Sequence, residues 1–394
     1  MKAKSIKGKS TEEIKAALEV AMEDARPDDP VGRGYKPTLA IVFISIKQDR
    51  KAVVDLLRQN NIDVFGCTSC GEFINGHQSE GEAVILLLDA NREHYTILIE
   101  DVKNGNVDEA ALLIAKNATK HFKNPTFLLT SNGVYANGQY FDGDTVVKTL
   151  VRELGEDSVF FGGMAGDDWN IKNSFIFTHQ RESGNAIAAL VFDADKISLQ
   201  GMAIHGWKPL GITRKVTKSS GNKVYSIDDK PAVEMYLKYL GMSEKNGDES
   251  FDIFKDLSIH FPFIARREDG ETMIKSPRSI DAASNALIMD IAMEEGSEFQ
   301  FSTPPDFEIS EEIISAAKVV KNTTEIKPDA LLIFSCAGRP PVLGPLTTVE
   351  NDGLAEVWQV PMAGFYTYGE FGRMKNGKQH FHSSVCCWVA IKEK

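Results

Sequence analysis

At 394 residues the chain is longer than one ordinary domain and long enough for two with sizeable cores, and its 42% hydrophobic and 25% charged content excludes disordered and fibrous classes. A formal net charge of -12, without any lysine- and arginine-rich stretch, argues against nucleic acid or an anionic membrane surface as a general partner.

Residues 1–15 open basic but carry no apolar core, and no run of about 18 apolar residues follows anywhere. Five cysteines are too few, and odd in number, for a secreted disulfide framework. The expected location is cytoplasmic, with no membrane span. Three apolar, β-rich runs then punctuate the chain, at 37–45, 125–131 and 328–335, each entered from a proline and closed by a serine. Each reads as a strand buried on both faces. Val53, Val54, Leu56 and Leu57 give residues 50–60 a helical period after the first run, and Val146, Val147, Leu150 and Val151 do the same for 144–154 after the second.

Each unit next reaches a glycine-bracketed turn. The first reads Gly66-Cys67-Thr68-Ser69-Cys70-Gly71-Glu72, and the third repeats its spacing as Gly364-Phe365-Tyr366-Thr367-Tyr368-Gly369-Glu370. The second, FFGGMAGD, departs: against Gly166-Asp167 its leading glycine lies one position late, and Asp167 stands in place of the glutamate. Further strands follow as EAVILLLDA, NAIAALVFDA and HFHSSVCCWVAI, so the unit is strand, helix, turn, strand, repeated. A β-rich stretch with a helix at 232–240 separates the second and third units, and a helix at 310–320, with Ser310 as N-cap candidate, leads into the third. The polar, turn-rich segment 217–231 marks the boundary between expected domains at 30–215 and 216–394. The fold class is α/β and two-domain, with mixed sheets layered with helices and built from the repeated units.

The turns resemble a phosphate loop only in outline, because Glu72 and Glu370 stand where a lysine would be needed and would repel phosphate. Cys67 and Cys70 form a Cys-x-x-Cys, the pattern of a redox dithiol in a thiol oxidoreductase. The matching copy holds Phe365 and Tyr368 there, so small core residues are the simpler reading. Cys386 and Cys387 face opposite sides of a strand and cannot both complete a zinc site. His380 and His382 share one strand face and His205 stands apart, yet neither His-Glu-x-x-His nor Gly-x-Ser-x-Gly occurs. No catalytic or metal set is expected.

The densest convergence lies in the third unit, where Cys336-Ala337-Gly338-Arg339 leaves the strand and Tyr366, Tyr368, Glu370 and His382 follow. Arg339 suits bidentate capture of a carboxylate, and Glu370 could receive an ammonium group. The competing reading pairs Arg339 with Glu370 and places the tyrosines in a core. Thr68, Ser69 and Glu72 of the first turn, and Arg278 of KSPRSID, complete the ligand-binding candidates.

FGCTSCGE, FFGGMAGD, VTKSSGNKVYSIDDKPAVEMYLKYLG, KSPRSID, SCAGR and GFYTYGEF with a closing FH resemble the N- and C-terminal halves of FIST domains, over about residues 30 to 392. Cys70 stands where that family commonly has the alanine of Thr-Ser-Ala-Gly-Glu, and His382-Ser383 where it often closes with Phe-His-Asn. The resemblance implies a non-catalytic sensory protein that binds a small ligand, an amino acid or small carboxylate. It also implies signalling to a separate kinase or other effector, since no output module accompanies the motifs. One stand-alone branch of the family is similar to haem-binding nitric-oxide sensors that regulate a histidine kinase. By that likeness haem would be the cofactor, with His205 or His382 as its ligand, although no haem motif is present. Otherwise no cofactor is expected.

Overall fold

The computed structural model describes residues 1–23, 35–248, 250–267, 270–324 and 326–394. The expected domain start at residue 30 lies outside the described residues. The three apolar runs form the central strands Leu39–Ile44, Pro125–Ser131 and Ala330–Cys336, each in a different sheet. Their side chains alternate between two faces that are both covered, which is why they carry no polar alternation. Each central strand has a parallel neighbour on one side, Asp63–Thr68, Val159–Gly163 or Met362–Thr367. On the other side it pairs antiparallel with Ala83–Leu88, Ala186–Asp193 or Cys386–Glu393. The helices Arg50–Gln59, Gly143–Leu154 and Leu346–Trp358 make the crossovers.

The outer two positions at one edge of each six-stranded sheet are filled by exchange. A hairpin from each unit leaves its glycine turn and extends the sheet of another: Glu72–Ile74 joins the third sheet, Ile176–Thr178 the first, and Glu370–Arg373 the second. The leading glycines make this possible. Gly66, Gly162 and Gly364 lie between a central strand and an incoming phenylalanine, Phe177, Phe371 or Phe73 respectively. A Cβ would stand 2.7 Å from the Val42 carbonyl oxygen at Gly66, 1.9 Å from that of Leu129 at Gly162 and 2.5 Å from that of Ile333 at Gly364. Any side chain would therefore force the strands apart. This register corrects the second copy. Counted from Gly162, which pairs as the leading glycines of the other copies do, Asp168, not Asp167, occupies the glutamate's place before a longer excursion that ends at Ile176.

Between the second and third units, residues 208–303 build a fourth, antiparallel sheet, covered by the helix Ala232–Tyr239. The chain is thus α/β with two domains, three related sheets in one and the antiparallel sheet in the other. Segment 217–231 belongs to the second: it folds into the hairpin Lys208–Ser220 and Lys223–Ile227, whose polar outer face hides the buried Val216, Val224 and Ile227. The sequence halves 30–215 and 216–394 exchange hairpins and meet in the third sheet, where Ile197–Ile204 pairs with Cys386–Glu393. Ser310 is not a cap. It is buried in the first turn of Ile309–Thr324 and donates to the Leu346 carbonyl at 3.3 Å. The helix Leu346–Trp358 escapes sequence reading because its packing face uses Gly353, whose hydrogen faces Ile314 where a Cβ would come within 2.2 Å. Among the described residues no helix is long and apolar enough to cross a membrane.

Candidate functional site

The three glycine turns interlock through their backbones. Cys70 N donates to Tyr366 O at 3.0 Å, Tyr368 N to Met164 O at 3.2 Å and Gly166 N to Thr68 O at 2.8 Å, closing a ring. The glutamates serve that ring. Ser69 donates to Glu72 and Thr367 to Glu370, and both carboxyl groups are fully buried. Burial pushes each up to about 8, against the weaker opposing pull of its hydroxyl partner, so both are largely protonated near neutrality. Glu370 is therefore not set up as an ammonium receiver. Thr68 donates to Gly166 O at 2.5 Å and accepts from Phe175 N at 2.9 Å, a structural role of the same kind.

Arg339 is fully buried and its fork is already occupied. It pairs with both oxygens of Glu350, on the Leu346–Trp358 helix, and donates to His205 O at 2.8 Å and Ser384 O at 3.1 Å. Its carboxylate partner is thus within the chain, and it is Glu350 rather than Glu370. Burial alone would push the guanidinium down, but the Glu350 carboxylate outweighs it and holds Arg339 charged. Tyr366 points to the exchanged hairpin, its hydroxyl donating to Gln78 Oε1 at 2.7 Å and its ring 5.1 Å from Phe73.

A closed crevice lies at the carboxyl ends of Ala330–Cys336 and Met362–Thr367, the edge where parallel strands commonly receive ligands. The corresponding edges of the other units are filled by their own polar groups. In the first, Ser45 donates to Asp168 at 2.6 Å and Lys47 lies 3.5 Å from the same oxygen; in the second, Asn132 bonds Ser174 O and Ala186 N. In the third, Cys336, Thr367 and Tyr368 form the floor, while Tyr140 and Trp169 from the second unit close one side. Phe254 and Arg278 descend from the antiparallel domain. The free volume is about 10 Å³, room for roughly one water.

Arg278 dominates the crevice. Its guanidinium lies over Phe254 at 4.0 Å and Tyr140 at 4.8 Å, and Nη2 is 3.5 Å from Asp290 Oδ2. Nε is buried without a hydrogen-bond partner. Burial opposes the charge, but neighbouring acidic groups, Asp290 among them, outweigh it and hold Arg278 above its ordinary value. Trp169 is held over the opening by a strained loop, with Asp168, Trp169 and Ile171 at φ of 52°, 63° and 51°. The Asp167 carboxylate holds that loop by accepting from Ile171 N at 3.0 Å, Lys172 N at 2.8 Å, Asn173 N at 3.1 Å and the Tyr368 hydroxyl at 2.5 Å. Of the candidates from sequence, the fold brings Arg278, Cys336 and Tyr368 together here. Arg339, Tyr366, His382, Thr68, Ser69 and Glu72 lie elsewhere, and Glu370 sits behind the floor. Tyr140, Trp169 and Phe254 were missed; the one local signal was a tryptophan inside a polar turn.

The family model of the FIST N domain matches residues 38–230 and that of the FIST C domain residues 232–373. The chain belongs to the FIST family. FIST domains are in general sensory domains that bind small ligands and are not typically catalytic. The chain is also 27% identical over 243 residues to the uncharacterized protein MJ1623 of Methanocaldococcus jannaschii, a match that covers 58% of this chain and 44% of that protein. The chain thus spans less than half the length of this relative. In family terms the crevice lies where FIST N residues Tyr140 and Trp169 meet FIST C residues Phe254, Arg278, Cys336 and Tyr368.

A histidine that ligates haem iron needs an open face beside its ring. His382 is 3% exposed, with Nε2 3.3 Å from Gly372 O and its ring pushed down to about 3 by burial. His205 meets Thr272 at 3.0 Å and borders a cleft of about 130 Å³, too small as it stands for a porphyrin. Neither surrounding fits a porphyrin. Among the described residues no cluster of His, Cys, Asp and Glu side chains is arranged to hold a metal ion.

Cys67 and Cys70 enter different core clusters, and burial pushes both thiols up to about 12. Neither is expected to react with iodoacetamide in native protein at about pH 8, while both react in denaturant. Rapid native labelling of either, followed by mass spectrometry, would restore the dithiol reading.

Proposed function

We propose that this FIST protein is a non-catalytic sensor that takes a small carboxylate-bearing ligand, an amino acid or simple carboxylate, in the Arg278 crevice and signals to a separate partner such as a kinase. The observation that carries this reading is the buried, unpartnered Nε of Arg278 at a cavity edge. A buried donor left unpaired costs about 1–3 kcal/mol, and a carboxylate matches the planar fork of a guanidinium. Because the crevice holds only about one water, a ligand enters by parting Trp169 from Phe254, now 6.4 Å apart. That movement separates the antiparallel domain from the three-sheet domain, so the bound state presents a different surface to a partner.

The test is a thermal-shift screen of the full chain against amino acids and small carboxylates. A ligand at about 100 times its Kd stabilises wild type by about 2.7 kcal/mol. Arg278→Ala is expected to lose that response at every concentration tested. Equal stabilisation of Arg278→Ala and wild type would place the ligand elsewhere.

A further inference from the structure

We propose that the crevice selects an aromatic monocarboxylate that carries no ammonium group. This rests on the reading of the Arg278 crevice as the ligand site. One cation with a free donor is present to receive a carboxylate, but no acid lines the cavity to receive an ammonium. Four acids stand nearby, Asp167, Asp252, Asp290 and Glu370, and none of them lines the cavity. Both Asp167 oxygens are occupied by the loop amides and the Tyr368 hydroxyl. Asp290 Oδ1 accepts from Ser276 N at 2.8 Å and Ile291 N at 2.7 Å, while its Oδ2, which has no hydrogen bond, is committed to Arg278 as an ion pair at 3.5 Å. Asp252 caps its own helix by accepting from Phe254 N and Lys255 N. Glu370 accepts from Thr367 and from Val385 N at 3.5 Å, behind the floor.

The rest of the ligand would meet rings. Trp169 lies 6.1 Å from Tyr368 at 66° and 6.4 Å from Phe254 at 35°, and Tyr140 lies 6.4 Å from Tyr368 at 70°. Their faces and edges suit a flat aromatic body inserted beneath Trp169, with its carboxylate directed to Arg278. An α-amino acid placed the same way would bury its ammonium against these rings without a counter-charge.

Calorimetric titration of the full chain at neutral pH with 3-phenylpropionate, L-phenylalanine and propionate tests the proposal. The first is expected to bind at least about tenfold more tightly than either of the others. Arg278→Gln should abolish its binding. Trp169→Leu, which keeps the arginine, should weaken 3-phenylpropionate and leave propionate unchanged, with circular dichroism confirming that both variants fold. If L-phenylalanine or propionate binds as tightly as 3-phenylpropionate and Arg278→Gln abolishes that binding, the selection is wrong but the crevice remains the ligand site. If none of the three binds, or if binding survives Arg278→Gln, both readings fall.

Discussion

Arg339→Ala is expected to lower the unfolding free energy by about 3–5 kcal/mol, because it leaves Glu350 buried and charged without its partner. Two backbone carbonyls, of His205 and Ser384, lose their donor in the same step. These contacts tie the loop after Ile197–Ile204 and the turn before Cys386–Glu393 to the end of the third central strand. Removing both charges together should be far milder, so an Arg339→Met, Glu350→Leu double variant is expected to recover most of the loss. Urea denaturation of the wild type, both single variants and the double variant measures this directly. If Arg339→Ala keeps wild-type stability but loses ligand binding, Arg339 is a ligand residue and its structural role is refuted.

The second large effect is a dependence of stability on pH. Burial raises Glu72 and Glu370 to about 8, above their ordinary value, so each contributes stability that is fully present below about pH 4.5 and is lost as pH rises through about 8. Buried His205 and His382 act in the opposite sense. Their values fall to about 4 and 3, so their contribution is present above about 6.5 and lost as pH falls. Between about pH 6.5 and 8 the two carboxyls therefore dominate, since the buried thiols and phenols change only above their ordinary values near 9 and 10. The expected slope is a loss of roughly 2–3 kcal/mol per pH unit, flattening above about 8. Glu72→Gln and Glu370→Gln should each remove about half of it, because glutamine keeps the shape without the titration. Chemical denaturation across that range decides the matter: a flat wild-type profile, indistinguishable from the double glutamine variant, would mean the carboxyls are not buried as described.

The repeated units were legible because they rest on local features. Apolar runs without alternation mark strands covered on both faces, helical spacing marks the first two crossovers, and the glycine pairs mark close strand approach. The second turn was misaligned by one residue because its Gly166-Asp167 looks like the closing Gly-Glu of the other copies, and only the pairing of Leu129 with Gly162 sets the count that puts Asp168 there. The polar segment 217–231 read as a domain boundary on composition alone, and an antiparallel hairpin with one solvated face, which is what it forms, has the same composition.

The sequence by itself determined the α/β class, the repeated strand-helix-turn-strand unit and the family likeness, since each depends on residues near one another in the chain. Only the tertiary structure decided which sheet each hairpin joins, that Arg339 answers Glu350, and that Arg278 meets Tyr140, Phe254 and Asp290 at a cavity. The reason is physical. A guanidinium pairs with whichever carboxylate or ring the long-range packing places beside it, and no local period encodes that choice.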